Sequence, residues 1–158
     1  MIGGFLDILG PEAPRWRAKM RRRRYGRDEV VFHEGDPGDT LHVNEKGRVL
    51  VEITTTIGDV AALSVRGPGE VIGELALVSD GRRTASVTAL EPTETLSLTQ
   101  GMLEDLRTTD ASVDRYLVEL LAEKLAETMA QLMEVLFVPV ESRILRVVDR
   151  LATAFDEG

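Results

Sequence analysis

Gly69-Glu70-Val71-Ile72-Gly73-Glu74-Leu75-Ala76-Leu77, continued by Val78-Ser79-Asp80-Gly81-Arg82-Arg83-Thr84-Ala85-Ser86-Val87, is the stretch around which the 158-residue chain is organised. Two glycines flank a short β-like run. A Glu then stands at the first turn of a short apolar helix, and nine residues beyond it a double Arg leads into a strand. Each part suits a small anionic ligand. Gly73 lets the backbone come close, and a helix starting near Glu74 offers free N–H groups and the positive end of its dipole. An Arg can fork two N–H bonds onto a phosphate. Glu74 repels a phosphate and needs a hydroxyl to accept from. A phosphate beside a free sugar hydroxyl meets all of these demands.

Gly73-Glu74-Leu75-Ala76-Leu77 followed by Arg83-Thr84-Ala85 resembles the phosphate-binding cassette of cyclic-nucleotide-binding domains. That family includes the bacterial cyclic-AMP receptor protein (CRP/FNR) regulators, the regulatory subunits of cyclic-AMP-dependent kinase and cyclic-nucleotide-gated channels. The resemblance implies that Glu74 holds the ribose 2′-hydroxyl and that Arg83, rather than Arg82, holds the cyclic phosphate. Gly73, Leu75, Ala76, Thr84 and Ala85 complete the implied ligand-binding set. The plainer alternative is a charged loop with an exposed salt bridge, and it is disfavoured because glycines, acid, arginine and small residues all fall in register.

From the amino terminus, residues 5–9 read as a short helical turn, and Pro14 opens a second helix near 15–20. Short strands follow at 29–33, 40–45, 48–55, 59–66, 85–90 and 94–98. They are punctuated by Gly35-Asp36-Pro37-Gly38, Lys46-Gly47, Ile57-Gly58, Gly67-Pro68-Gly69 and Glu91-Pro92. Even spacing of short strands predicts an antiparallel sandwich or jelly roll. Phe32-His33-Glu34-Gly35-Asp36, Leu41, Gly47-Arg48-Val49 and Gly69-Glu70 resemble the turns of the family's β-roll. His42 and Asn44 depart from the apolar residues usual in its second strand.

Composition narrows the function. The chain has no cysteine, which excludes disulfides, thiolate zinc sites and iron–sulfur clusters. There is no signal-peptide pattern and no apolar run of membrane-spanning length, so a cytoplasmic protein is expected. Net charge is −8, against nucleic-acid binding by the chain alone. Residues 15–27 nevertheless hold eight bases and no acid, leaving 11 bases against 27 acids elsewhere. Arg21-Arg22-Arg23-Arg24 reads as a strand edge with solvated arginines rather than a nucleic-acid patch. Metal enzymes of the cupin kind share this architecture, but His33 and His42 are the only histidines and no His-x-His pair exists. With no nucleophile–base set either, catalysis is not expected.

After Gln100 the apolar period changes from two to 3.6. Met102, Leu103 and Leu106 predict a short helix, and Asp110 or Ser112 can cap a long one over 113–136. Val118, Leu121, Leu125, Thr128, Leu132 and Val135 repeat at coiled-coil spacing, and Ala122, Ala126, Met129, Met133 and Leu136 make a second row. Two rows imply burial on two sides, one on the β-roll and one on a partner. A parallel homodimer is expected, as the family's dimerisation helix also implies.

Pro139 interrupts the helix, and 141–155 resumes amphipathic spacing. Phe137-Val138-Pro139-Val140-Glu141-Ser142-Arg143-Ile144 resembles the hinge and first helix of the DNA-binding half of CRP-type regulators. The expected organisation is thus a cyclic-nucleotide-binding β-roll with its long dimerisation helix over 1–136, then a hinge and first helix over 137–158 of a DNA-binding domain whose helix-turn-helix is not in this chain. The function implied is the sensor of a transcription regulator, with a stand-alone or channel/kinase-type module, or a dimerisation domain with a vestigial pocket, as alternatives. Base choice stays open. A gapless fit of the hinge places Thr128 where cyclic-AMP receptor proteins present a hydroxyl to adenine, whereas the Arg83-Thr84 pair also occurs in cyclic-GMP-responsive channels. Cyclic AMP is the favoured ligand and cyclic GMP the alternative.

Overall fold

The computed structural model describes residues 3–137 and 139–156. Val138, in the centre of the expected hinge, lies outside the described residues. The chain divides into two compact units, one of residues 3–113 and one that starts at Asp114.

In the first unit a 3-10 turn over Asp7–Glu12 leads into helix α1 (Ala13–Lys19). Eight strands follow: β1 (Arg21–Tyr25), β2 (Val30–Phe32), β3 (Thr40–Lys46), β4 (Val49–Thr54), β5 (Val60–Arg66), β6 (Val71–Ile72), β7 (Ser86–Ala89) and β8 (Thr93–Thr99). Helix α2 (Glu74–Val78) separates β6 from β7, and α3 (Gln100–Thr109) follows β8. The strands form two four-stranded antiparallel sheets in the orders β1-β8-β3-β6 and β2-β7-β4-β5. This is the expected β-roll.

Strand periodicity explains the core. In the first sheet Leu41 pairs with Leu98 and Val43 with Leu96, so these four apolar side chains share one face and all are buried. Burying each contributes roughly 1.5–3 kcal/mol. His42 pairs with Ser97 and Asn44 with Thr95, which puts polar residues on the opposite face. That face is buried too. Ile72, aligned with His42, joins Val49 and Val87 of the second sheet in an apolar cluster with Val31, Phe32 and Val51 around it. The departure at His42 and Asn44 is therefore an interior feature.

β1 is an edge strand, and charged side chains such as its arginines disfavour edge-to-edge pairing. Arg22 contacts Glu94 at 2.7 Å and Glu45 at 3.2 Å, Arg24 contacts Glu94 at 3.3 Å, and Arg17 of α1 also pairs with Glu45.

Helix α4 spans Ala111–Phe137, three residues longer than the predicted 113–136, and is capped where the Asp110 carboxylate accepts from the backbone N–H of Ser112 at 2.9 Å. Tyr116, Leu117 and Leu120 are buried, and they belong to neither of the two rows read from the sequence. Both rows are instead largely exposed from Leu125 onward, at 55–62% for Leu125, Met129, Leu132, Met133, Val135 and Leu136. Helix α5 (Val140–Asp156) sets Arg150 2.9 Å from Glu134 of α4. No helix among the described residues is long and apolar enough to cross a membrane.

Candidate functional site

The organising stretch folds around one guanidinium. β6 ends at Ile72, Gly73 turns at φ 80°, and α2 begins at Glu74. A side chain at residue 73 would need the left-handed region, and its Cβ would strike Nη1 of Arg83 and lie 3.3 Å from the Thr40 carbonyl oxygen. On the other side, the Gly35–Gly38 turn is laced to the segment before β7. Gly35 N–H donates to the Arg83 carbonyl at 2.8 Å, Arg83 N–H to the Asp36 carbonyl at 2.9 Å, and Gly38 N–H to the Gly81 carbonyl at 2.8 Å. The backbone of Arg83 is thereby fixed before its side chain makes any contact.

The Arg83 side chain is 5% exposed. Its Nη1 donates to the carbonyls of Thr40, at 2.7 Å, and Gly73, at 3.1 Å. Nη2 donates to the Thr40 hydroxyl at 2.9 Å, and the guanidinium carbon sits 4.1 Å above the Phe32 ring. No carboxylate forms an ion pair with it among the described residues, and its Nε is buried with no hydrogen-bond partner. Burial pulls the guanidinium below the usual arginine range, and the charges of Asp39, Asp36 and Glu74 offset part of that. A buried cation held by neutral acceptors, with an N–H unspent, keeps its charge uncompensated by any ion pair among the described residues.

The other predicted residues differ in exposure. Glu74 and Ala76 are buried, Leu75 is 37% exposed, Thr84 is exposed and Ala85 half-buried. Arg82 is exposed, and its Nη1 donates to the Gly35 carbonyl at 3.0 Å. Helix α2 has five residues, so its dipole is that of little more than one turn, and the site's positive charge resides in Arg83. Thr128 belongs to the second unit, where its hydroxyl donates to the Lys124 carbonyl at 2.8 Å.

Three residues that hold Arg83 escape a reading by motif. Thr40 supplies two of its three hydrogen-bond acceptors, Phe32 its aromatic platform, and Gly38 the space beside Nε. Phe32 and Gly38 carry a signal only as parts of turns, and Thr40 only as the start of a strand. A separate cavity of about 280 Å³, lined by residues including Phe5, Asp7, Arg17 and Val43, shares no residue with this cluster.

The model of the cyclic nucleotide-binding domain matches residues 22–110 of the chain. The chain belongs to the cyclic nucleotide-binding domain family. Within it, this domain is of the CRP/FNR type. The cyclic AMP receptor protein of Thermus thermophilus is 38% identical to it over 79 residues, which are 50% of this chain and 37% of that protein. The crystal structure of the Thermus thermophilus catabolite activator protein superposes with a TM-score of 0.73 at 33% identity, over 82% of this chain and 61% of that one. A c-di-GMP responsive global regulator from Xanthomonas campestris gives a TM-score of 0.76 at 27% identity, over 86% of this chain and 69% of the other. The domain thus spans well under two thirds of the length of its Thermus relative.

Proposed function

We propose that this domain is the cyclic-AMP-sensing part of a CRP/FNR-type transcription regulator and not an enzyme. The cyclic phosphate takes the place of the missing counterion on Arg83, and Glu74 accepts from the ribose 2′-hydroxyl. Gly73, Leu75, Ala76, Thr84 and Ala85 line the ligand. The observation that carries the reading is the buried Arg83 with no carboxylate on it and an unspent Nε. A structural arginine in so sheltered a place ordinarily has an acid beside it.

The regulator works as a homodimer through residues 113–136, where the exposed apolar rows of α4 find their cover. Binding favours one arrangement of that helix and of the hinge at 137–139, and so signals to a helix-turn-helix domain outside residues 1–158. Such a shift requires different ligand affinities in the two arrangements. Direct DNA contact by these residues is disfavoured by the net charge of −8 and by the pairing of Arg22 and Arg24 with acids. A regulator of this kind works in the cytoplasm.

Cyclic GMP is the second reading. The exposed Thr84 next to Arg83 supports it, while the Thr128 hydroxyl is already engaged by its own helix. Calorimetry with cyclic AMP, cyclic GMP and 2′-deoxy cyclic AMP tests the proposal. Cyclic AMP is expected to bind tightest, with the deoxy analogue weaker by about 1–3 kcal/mol because Glu74 loses its donor. Heat from neither parent nucleotide would sink the sensing role, and equal affinity for the deoxy analogue would remove Glu74 from it.

A further inference from the structure

The interior polar face of the first sheet ends at Arg83. From there a row of side chains runs through the roll: Arg83 Nη2 donates to Thr40 Oγ1 at 2.9 Å, and Thr40 Oγ1 lies 3.4 Å from His42 Nε2. His42 Nδ1 then lies 3.1 Å from Thr95 Oγ1. Two assignments of protons satisfy the row, because the Thr40 oxygen has two lone pairs and one proton. In the one that also uses the Thr40 proton, that proton turns toward Nε2 while the oxygen accepts from the guanidinium. Nε2 then carries a lone pair, and the proton of a neutral ring sits on Nδ1, donated to Thr95.

We infer that Thr40 and His42 are positioning residues for the anion-binding guanidinium, the neutral imidazole orienting the Thr40 hydroxyl so that it accepts from Nη2 of Arg83. Thr40 takes both ends of the guanidinium fork, Nη1 with its carbonyl and Nη2 with its hydroxyl. What remains is Nε–H and the second hydrogen of Nη2, which the planar group directs along one edge. A carboxylate in Thr40's place would orient the cation equally well but neutralise it, and would compete with an incoming phosphate. Neutral acceptors orient without competing.

The surroundings keep His42 uncharged. It is 6% exposed, and burial first, then the positive charges of Arg83 from the loop before β7 and Arg23 from β1, lower its pKa to about 4. Phe32 packs its ring 6.0 Å from the imidazole, and the Tyr25 phenol on β1 lies beyond Thr95. This accounts for a histidine where the family's second strand is apolar.

The inference rests on the cyclic-nucleotide reading of Arg83, and one set of experiments separates the two. Calorimetry with cyclic AMP on the whole chain is expected to show Thr40→Val weakened about tenfold, the loss typical of one hydrogen bond to a charged group, with Thr40→Ser restored to within about twofold. His42→Leu is expected to lose affinity severalfold, and His42→Gln, which keeps an acceptor facing Thr40, to retain most of it. In an Arg83→Lys background, where no fork remains to be oriented, Thr40→Val is expected to have no further effect. Nitrogen-15 NMR of the wild-type imidazole is expected to show the neutral Nδ1–H tautomer at neutral pH. Wild-type protein that binds neither cyclic AMP nor cyclic GMP overturns the cyclic-nucleotide reading and the inference with it. Wild-type binding with undiminished affinity in Thr40→Val, or an Nε2–H tautomer, overturns the positioning role alone.

Discussion

Gly38 lies directly against the side chain of Arg83: a Cβ at residue 38 would stand 2.8 Å from Nε and 2.9 Å from Cδ. The same Cβ would come 2.5 Å from that of Ala76 on α2. The turn before β3, the short helix and the buried cation therefore meet at a point with no room for a methyl group. Gly38 has no positive φ, so its role is space and not backbone freedom.

Gly38→Ala is accordingly expected to destabilise the fold by about 1–3 kcal/mol through overpacking. It should also weaken nucleotide binding, because the guanidinium is the softer of its two neighbours and moves first. Urea melts and calorimetry on the same protein check both parts. Unchanged stability and affinity would mean that the three elements sit farther apart.

Acid should destabilise the domain through His42. Its folded pKa, about 4, lies below the ordinary 6.5, so between these values the unfolded chain binds more protons. The contribution is intact above pH 6.5 and is lost as pH falls toward 4. Between pH 7.5 and 5.5 the loss from this one group is on the order of 1 kcal/mol by linkage. Comparing wild type with His42→Gln by urea melts at both pH values isolates it. An equal loss in the two proteins would place the proton elsewhere.

Base choice is expected to divide between two threonines. Thr128→Val should weaken cyclic AMP by about 0.5–1.5 kcal/mol and leave cyclic GMP nearly unchanged. Thr84→Ala should do the reverse if guanine is the natural base. Since the Thr128 hydroxyl bonds its own helix carbonyl, its removal should cost little stability. Equal losses for both nucleotides in Thr128→Val would reduce that residue to packing.

Leu125→Glu and Leu132→Glu should convert a dimer to a monomer. The two leucines are 62% and 56% exposed in the single chain, and each carboxylate would meet its counterpart at a desolvated seam. Sedimentation of wild type and variants measures this. A monomeric wild type, or a fully dimeric variant, would defeat the coiled-coil reading of α4.

Much of the fold is legible in the sequence, and the reasons differ by element. The strands announced themselves by short runs between Gly/Pro turns, and the cassette by Gly73, Glu74 and Arg83 in register. The 113–136 helix is plain from its period, but its buried face is not: Tyr116, Leu117 and Leu120 belong to neither of the two rows that periodicity singles out. Continuous apolar character around a helix does not say which side is covered first. The residues that hold Arg83 in place are hidden for another reason. Thr40, Phe32 and Gly38 reach the guanidinium from other parts of the chain, and the turn motifs that hold Phe32 and Gly38 do not encode that contact. His42 was visible only as an anomaly, and strand register gave it a place.

The most direct test of the account is the affinity of cyclic AMP for Arg83→Ala beside Arg82→Ala, measured by calorimetry. Arg83 is buried, unpaired with any acid among the described residues and short of a partner at Nε, whereas Arg82 is exposed and bound to the Gly35 carbonyl. Losing a charge-assisted bidentate contact in a sheltered site costs on the order of 2–4 kcal/mol. Arg83→Ala should therefore weaken binding about a hundredfold or more while Arg82→Ala changes it little. Near-equal effects of the two substitutions would contradict the assignment of the phosphate to Arg83.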